Sequence, residues 1–376
     1  MFTLHASHLI YNNQQFHYFW LKDNCRCSKC LHSSGQRLQE ILDLDLTIQP
    51  EVVTIAEGDL VITWQDGHQS RYSQTFLDSL QADANDAPVL DLQVLWDGQL
   101  NASAITFQYP EVLSSKQTKR DWLGAVTQFG VAFLHDVPNV DKQLFKVVEQ
   151  FGFVRDTNYG SHFEVISEEN PVNLAYTPKP LSLHTDNAYR HPVPTLQLLH
   201  CLISAEQGGI TALTDGFYAA QLLQQRFPQQ YQLLISTPVT YRFKNADTHL
   251  EHTGYIIELN NSGELERIRL NNRAIQAIKL PFAEMAAFYQ AYQNFSLILH
   301  SDECKFLCTL QPGELMIFNN ERILHGREVA AEGARHLQGC YADIDSLKST
   351  LALLNTKLET KLEAKLETKL QGNVEI

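Results

Sequence analysis

The chain has 376 residues, of which 44% are hydrophobic, 10% aromatic and 19% charged, a composition that lets a globular protein bury a core without disulfides. Its 29 Lys and Arg against 43 Asp and Glu give a net charge of −14 with histidines neutral, which excludes ordinary phosphate-backbone recognition and with it a nucleic-acid partner. No apolar run approaches the roughly 18 residues of a membrane span, and the start MFTLHASHLIYNN has no basic segment leading an apolar one.

Three textures follow one another. Residues 1–85 carry Cys25, Cys27 and Cys30 and short β-like runs over 52–55 and 60–64, broken by Gly58 and Gly67. The polar stretch QADANDAP, residues 81–88, reads as a linker. Residues 88–350 mix helical spacing over 120–128, 142–151 and 217–227 with β-rich runs over 195–202, 255–259, 267–270 and 314–318. Many short strands spread over such a length favour a barrel or double sheet over a doubly wound parallel sheet.

Residues 351–376 form a tail, in which KLETKLEAKLETKL repeats every four residues with Leu358, Leu362, Leu366 and Leu370 in one series. Its residues are mostly good helix formers. The repeat nevertheless stacks Lys over Lys and Glu over Glu at i,i+4, and a period of four drifts around a 3.6-residue helix. A frayed helix without chemistry is expected there.

Seven cysteines, three of them within six positions, point to a metal or free thiols in a reducing compartment, so a cytoplasmic protein is expected. Thiolates at this density suit Zn(II), and a structural zinc site needs four protein ligands. His32 and His68 are the candidates for the fourth. A distant ligand pins two segments together whereas His32 closes only a tiny loop, which favours His68.

A second constellation begins at His184-Thr185-Asp186. If the segment is a strand, His184 and Asp186 share a face and can offer an imidazole nitrogen and a carboxylate oxygen to one ion. His325, in FNNERILHGRE behind the β-like run ELMIF, supplies a third ligand if that run returns beside the first. Two histidines and one carboxylate leave positions on Fe(II) open for O2 and a cosubstrate. Ten residues on, Arg335 in RHLQGCYADID can clamp a dicarboxylate bidentately.

The motifs WLKDNCRCSKC, NLAYTPKPLSLHTD, LQLLHC, DGF, LNN and FNNERILHGRE, in this order and closed by RHLQGCYADID, resemble the γ-butyrobetaine hydroxylases. These belong, with the trimethyllysine hydroxylases, to the taurine dioxygenase-type Fe(II)/2-oxoglutarate dioxygenases. The resemblance runs from about residue 20 to 354. It implies a mainly β fold with flanking helices, a double-stranded β-helix (jelly-roll) core preceded by a small zinc-binding β domain, and a homodimer. It also implies iron on His184, Asp186 and His325, zinc on Cys25, Cys27, Cys30 and His68, 2-oxoglutarate held by Arg335, Thr211 and Leu199, and ascorbate as reductant.

A trimethylammonium group has no N–H, so only aromatic faces recognise it strongly. Tyr159, Phe163, Tyr176 and Tyr341 match the family's cage positions, with Phe163 where some relatives carry tryptophan. At the opposite end, Asn173 and either Asn271 or Asn272 can donate amide N–H groups to a carboxylate. Trimethyllysine also carries an α-ammonium, which calls for an acid where this chain has Asn173. The expected reaction is therefore hydroxylation of γ-butyrobetaine to L-carnitine. Trimethyllysine, 2-trimethylaminoethylphosphonate and a catalytically silent cupin-like binding protein are the alternatives.

Overall fold

A computed structural model describes residues 2–80, 93–166 and 179–372. The chain divides into two compact units, residues 1–88 and 89–376.

In the first unit, β1 (Phe2–Leu4), β2 (His8–Tyr11) and β3 (Gln14–His17) form an antiparallel meander that leads into α1 (Tyr18–Asp23). A second meander follows from β4 (Pro50–Ala56), β5 (Asp59–Trp64) and β6 (Gln69–Tyr72), and α2 (Gln74–Ser79) closes the unit. Along β5 every second residue, Leu60, Ile62 and Trp64, is buried, the period expected of a strand with one face on a core. Those three pack with Leu9, Leu21 and Tyr72, whose hydroxyl donates to the Leu21 carbonyl. The linker reading of residues 81–88 lies outside the described residues.

The second unit opens with β7 (Thr106–Gln108), α3 (Tyr109–Ser114), α4 (Lys116–Phe129), β8 (Val131–His135) and α5 (Gln143–Val148). Then come β9 (Val154–Arg155), β10 (Phe163–Ile166), β11 (Leu181–His184), β12 (Leu196–Ile203), β13 (Gln207–Gly208) and β14 (Thr211–Asp215). An excursion of helices α6 (Gly216–Arg226) and α7 (Pro228–Ser236) is followed by two hairpins, β15 (Val239–Lys244) with β16 (His249–Gly254) and β17 (Ile257–Leu259) with β18 (Leu265–Ile268). The long α8 (Phe282–Leu299) completes it. The chain then returns through β19 (Lys305–Cys308), β20 (Leu315–Asn319), β21 (Ile323–Arg327), β22 (Ala331–Glu332) and β23 (His336–Ala342) to α9 (Ile344–Gly372).

Two sheets make the core. The larger runs β10-β23-β12-β20-β8-β7, with β9 also on β23, and only its β7–β8 edge is parallel. The smaller runs β11-β21-β14-β19, antiparallel throughout. This is a double-stranded β-helix with flanking helices. Its central strand β12 is buried from Leu196 to Cys201, the pattern of a strand covered on both faces.

The structure contains more helix than the sequence pattern suggested. In α8 the residues Phe288, Ala291, Phe295, Ile298 and Leu299 recur with helical spacing and are buried. The exposed apolar Phe282, Tyr289 and Leu297 blur that period in the sequence. The terminal helix α9 runs unbroken through residue 350 to Gly372, where fraying was expected. It is anchored by Leu347, Leu351 and Leu354 in the same core as Trp122 and Val126 of α4.

Candidate active site and metal centres

In the first unit, α1 ends at Asp23 and the chain turns through Cys25, Cys27 and Cys30, with the Cys30 N–H donating to the Cys27 carbonyl at 2.9 Å. His68 sits in the turn between β5 and β6, where its N–H donates to Asp66 Oδ1 at 2.9 Å. Lys22 on α1 ties this turn down through an ion pair to Asp66 at 2.6 Å. His68 Nε2 thereby lies 3.2, 3.7 and 3.5 Å from the Sγ atoms of Cys25, Cys27 and Cys30. A tetrahedral zinc with ordinary Zn–S and Zn–N bonds would separate such atoms by about 3.6 Å. The four donors therefore fit zinc. Burial pushes the Cys30 thiol up to about 12, with its neighbouring thiols adding to the shift, so the thiolate needs a cation beside it. His32 lies apart and exposed, its Nδ1 paired with Ser34 Oγ at 2.8 Å.

In the second unit, a cavity of about 320 Å³ lies between the two sheets of the β-helix. The smaller sheet contributes His184, Thr211, His325 and Arg327, and the larger contributes Gln197, Leu199, Met316 and Tyr341.

β11 and β21 pair with a register shift that sets His184 directly opposite His325. The close approach of these strands requires glycine at 326, where a Cβ would come within 2.4 Å of the Leu181 carbonyl oxygen. β11 ends at His184, so Asp186 does not share a strand face with it, contrary to the expectation above. Asp186 sits in the turn that follows and is brought back toward His184. That turn is held from two sides. Asn320 accepts from the Asp186 N–H at 2.7 Å and donates to the carbonyls of Asp186 and Pro194, each at 3.0 Å. The Thr185 N–H donates to the Leu270 carbonyl at 2.7 Å.

The Nε2 of His184 is 3.2 Å from one Asp186 oxygen and that of His325 is 4.0 Å from the other. All three donor atoms lie within 4.8 Å of one another. His184 Nδ1 pairs with the Ser182 carbonyl at 2.9 Å, and Nε2 faces the Asp186 carboxylate. Tyr341 donates to Asp186 Oδ2 at 2.8 Å. Burial alone would raise the Asp186 carboxyl, but its bond to His184 and the charge of the two imidazoles hold it well below the usual range. Burial, with His184 beside it, pushes His325 down to about 3. An ionised carboxylate flanked by two imidazoles is a donor set that suits a divalent iron.

Arg335 lies just before β23, not on it, and lines the cavity, as do Thr211 and Leu199. Burial first, and the neighbouring Arg327 second, push its guanidinium down to about 10, so an anion there is strongly favoured.

On the aromatic side, Phe163 packs on Tyr341 with centroids 5.2 Å apart, and Tyr159 lies 6.3 Å from Phe163. Phe163 lies over Gly339, where a Cβ would meet its ring at 2.3 Å. Tyr189 and Phe243 extend the wall, with centroids 5.2 Å apart and the Tyr189 and Tyr159 hydroxyls 3.0 Å apart. Neither residue was singled out from the sequence. Tyr176 and Asn173 lie outside the described residues. Of the two candidate amides, Asn271 lines the cavity. Asn272 is exposed, accepts from the Tyr292 hydroxyl at 2.9 Å and is not among the residues that line the cavity. Arg273 also lines the cavity, without any local motif to announce it.

Residues 92–341 match the profile of the taurine catabolism dioxygenase TauD, TfdA family. The chain belongs to that family. In addition, residues 10–78 of this TauD/TfdA-family protein match the γ-butyrobetaine hydroxylase-like N-terminal profile. The chain is 35% identical over 350 residues to the gamma-butyrobetaine dioxygenase of Pseudomonas sp. (strain AK-1), covering 90% of each. It is 31% identical over 352 residues to the mitochondrial trimethyllysine dioxygenase of Bos taurus, covering 91% of this chain and 83% of that protein. It is likewise 31% identical over 354 residues to the gamma-butyrobetaine dioxygenase of Homo sapiens, covering 90% of this chain and 91% of that one. No helix among the described residues is long and apolar enough to cross a membrane.

Proposed function

We propose that this dioxygenase hydroxylates γ-butyrobetaine at C3 to give L-carnitine, in a carnitine biosynthesis pathway, consuming 2-oxoglutarate and O2 and releasing succinate and CO2. The observation that carries the reading is one cavity holding both a two-histidine, one-carboxylate cluster and a wall of aromatic rings. Iron on His184, Asp186 and His325 supplies the oxidative chemistry when bound.

The chain's own residues aim that chemistry. Arg335 and the Thr211 hydroxyl take the distal carboxylate of 2-oxoglutarate, and Leu199 forms the wall beside it. Tyr159, Phe163, Tyr176 and Tyr341 take the trimethylammonium group on their ring faces, with Tyr189 and Phe243 beside them. Asn173 and Asn271 donate to the substrate's anionic end. Gripping both ends of a short chain leaves one methylene directed at the metal, and positioning of that kind accounts for much of the barrier lowering. Cys25, Cys27, Cys30 and His68 bind a structural zinc. Seven free cysteines support a reducing location, which we take as the cytoplasm. A homodimer and ascorbate as reductant complete the proposal.

Trimethyllysine is the second reading, because its dioxygenases are among the relatives. Against it, Asp186 is the one acid among the described residues that line the cavity, and it is committed to the metal. The α-ammonium of trimethyllysine thus has no described carboxylate to meet. Side-by-side assays of γ-butyrobetaine, trimethyllysine and 2-trimethylaminoethylphosphonate, each with Fe(II), ascorbate and 2-oxoglutarate, decide the matter. Highest kcat/KM on γ-butyrobetaine is expected. Preference for another of the three would move the assignment to it, and no turnover of any with iron bound would mean a silent binding protein.

A further inference from the structure

The larger sheet lines the cavity with apolar side chains, Leu199 and Met316 among them, and with two polar ones, Gln197 and Tyr341. The Tyr341 hydroxyl is committed to Asp186. Gln197 is only 1% exposed, yet its Oε1 is buried with no hydrogen-bond partner among the described residues. An unmet buried carbonyl destabilises a fold, and native proteins rarely keep one that has no use.

Backbone register fixes where this amide stands. Gln197 on β12 is directly opposite Phe318 on β20 and Tyr341 on β23. Directly opposite residues of antiparallel strands project to the same face, so the three side chains form one row with Gln197 in the middle. Both outer members of the row reach the metal cluster. Phe318 packs on His325 with ring centroids 4.8 Å apart, and Tyr341 donates to Asp186 Oδ2 at 2.8 Å. The amide between them therefore faces the space between Asp186 and His325.

We propose that Gln197 hydrogen-bonds an oxygen ligand of the iron on His184, Asp186 and His325, and that the fold tolerates the unmet amide on that account. This rests on the iron site proposed above and adds a residue to it. Two histidines and one carboxylate leave metal positions open to oxygen ligands. A primary amide serves either of two such ligands: it accepts from the O–H of a water, or it donates to a carboxylate oxygen of 2-oxoglutarate. With Tyr341 committed to Asp186, Gln197 is the larger sheet's free polar group among the described residues that line the cavity.

The test loads the full chain with Fe(II) without O2 and titrates in 2-oxoglutarate, following the visible charge-transfer band that forms when the cosubstrate binds ferrous iron. The wild type, Gln197→Met and Gln197→Glu are compared, and urea unfolding of each is measured before iron is added. Methionine keeps the length of the side chain and removes the hydrogen bond. Gln197→Met is therefore expected to be at least as stable as the wild type, to move the band, and to change half-saturation by about 5-fold or more. Weaker binding identifies the carboxylate as the partner, and tighter binding identifies a water that 2-oxoglutarate displaces. Gln197→Glu brings a negative charge to the same place and is expected to weaken 2-oxoglutarate by about 10-fold or more. Half-saturation within about 2-fold of the wild type with an unmoved band, in either variant, would overturn the proposal. So would a Gln197→Met protein clearly less stable than the wild type, since the amide would then already have its partner inside the fold. A wild type that gives no band with 2-oxoglutarate would instead sink the proposed iron and cosubstrate site, and that failure shows without any variant.

Discussion

His184 and His325 stand directly opposite one another on neighbouring antiparallel strands, with ring centroids 4.3 Å apart. Residues 141 positions apart in the chain are thus fixed by a sheet register, and the third member of the cluster, Asp186, reaches them from a turn. Tyr341 then locks the carboxylate from the facing sheet. Tyr341→Phe removes only that hydroxyl. We expect it to weaken iron retention or turnover by about 10- to 100-fold, the usual cost of losing a partner of a ligand. His325→Ala, which removes a ligand outright, should lose more. Iron content after gel filtration and kcat/KM check both, and a Tyr341→Phe enzyme indistinguishable from wild type would contradict the role.

Gly339 sets the depth of the aromatic wall, because any side chain there meets the Phe163 ring and, at 2.9 Å, Leu199. Gly339→Ala should displace both walls at once. The expected result is a rise of about 10-fold in KM for the trimethylammonium substrate, of the size seen when an aromatic cation contact is lost, with a smaller rise for 2-oxoglutarate. Unchanged KM values would mean that Phe163 is not part of the substrate wall.

How much of this was legible in the sequence depends on how local the signal is. Cys25, Cys27 and Cys30 announce themselves by spacing, and His68 follows from the geometry of closing a site. His184 and His325 stand in short motifs next to β-like runs. The bulge that aligns them leaves no such trace, so Asp186 was assigned to a strand when it lies in a turn. Arg273 and Phe243 reach the cavity from the excursion between β14 and β19, and Tyr189 from the connection between β11 and β12, by long-range packing that no period or motif encodes. Asn271 and Asn272 are adjacent and chemically identical, and only the fold distinguishes them, burying Asn271 in the cavity wall and pairing the exposed Asn272 with the Tyr292 hydroxyl.

His200 is fully buried on β12, and neither of its ring nitrogens has a hydrogen-bond partner among the described residues. Burial pushes it down to about 4, against about 6.5 in the unfolded chain. The unfolded state therefore binds the extra proton first. Stability from this residue is complete above pH about 6.5, falls as the pH drops toward 4, and levels off below that. Between pH 7 and pH 5 the loss should be about 2 kcal/mol. Urea unfolding at the two pH values should show His200→Leu less acid-sensitive than wild type by about this amount, and parallel losses would contradict it.

Arg322 and Asp215 form a buried bidentate pair at 2.6 and 3.0 Å, and Asp215 also accepts from the Trp96 and Phe217 N–H groups. Arg322 further donates to the carbonyls of Gln128 and Val94. Neither residue was marked in the sequence as more than part of a motif. Arg322→Met leaves the carboxylate buried without its partner and should cost about 3–5 kcal/mol. A loss below about 1 kcal/mol, the range of an exposed pair, would show that water reaches the site.

The central claim is that one cavity couples 2-oxoglutarate consumption to hydroxylation of a trimethylammonium zwitterion. The most direct measurement supplies purified protein with Fe(II), ascorbate, 2-oxoglutarate, γ-butyrobetaine and ¹⁸O-labelled O2, and follows both products by mass spectrometry. The account predicts L-carnitine and succinate in equal amounts, each carrying one labelled oxygen. Labelled succinate without carnitine would contradict the assigned substrate, and neither product from iron-loaded protein would contradict the reaction itself.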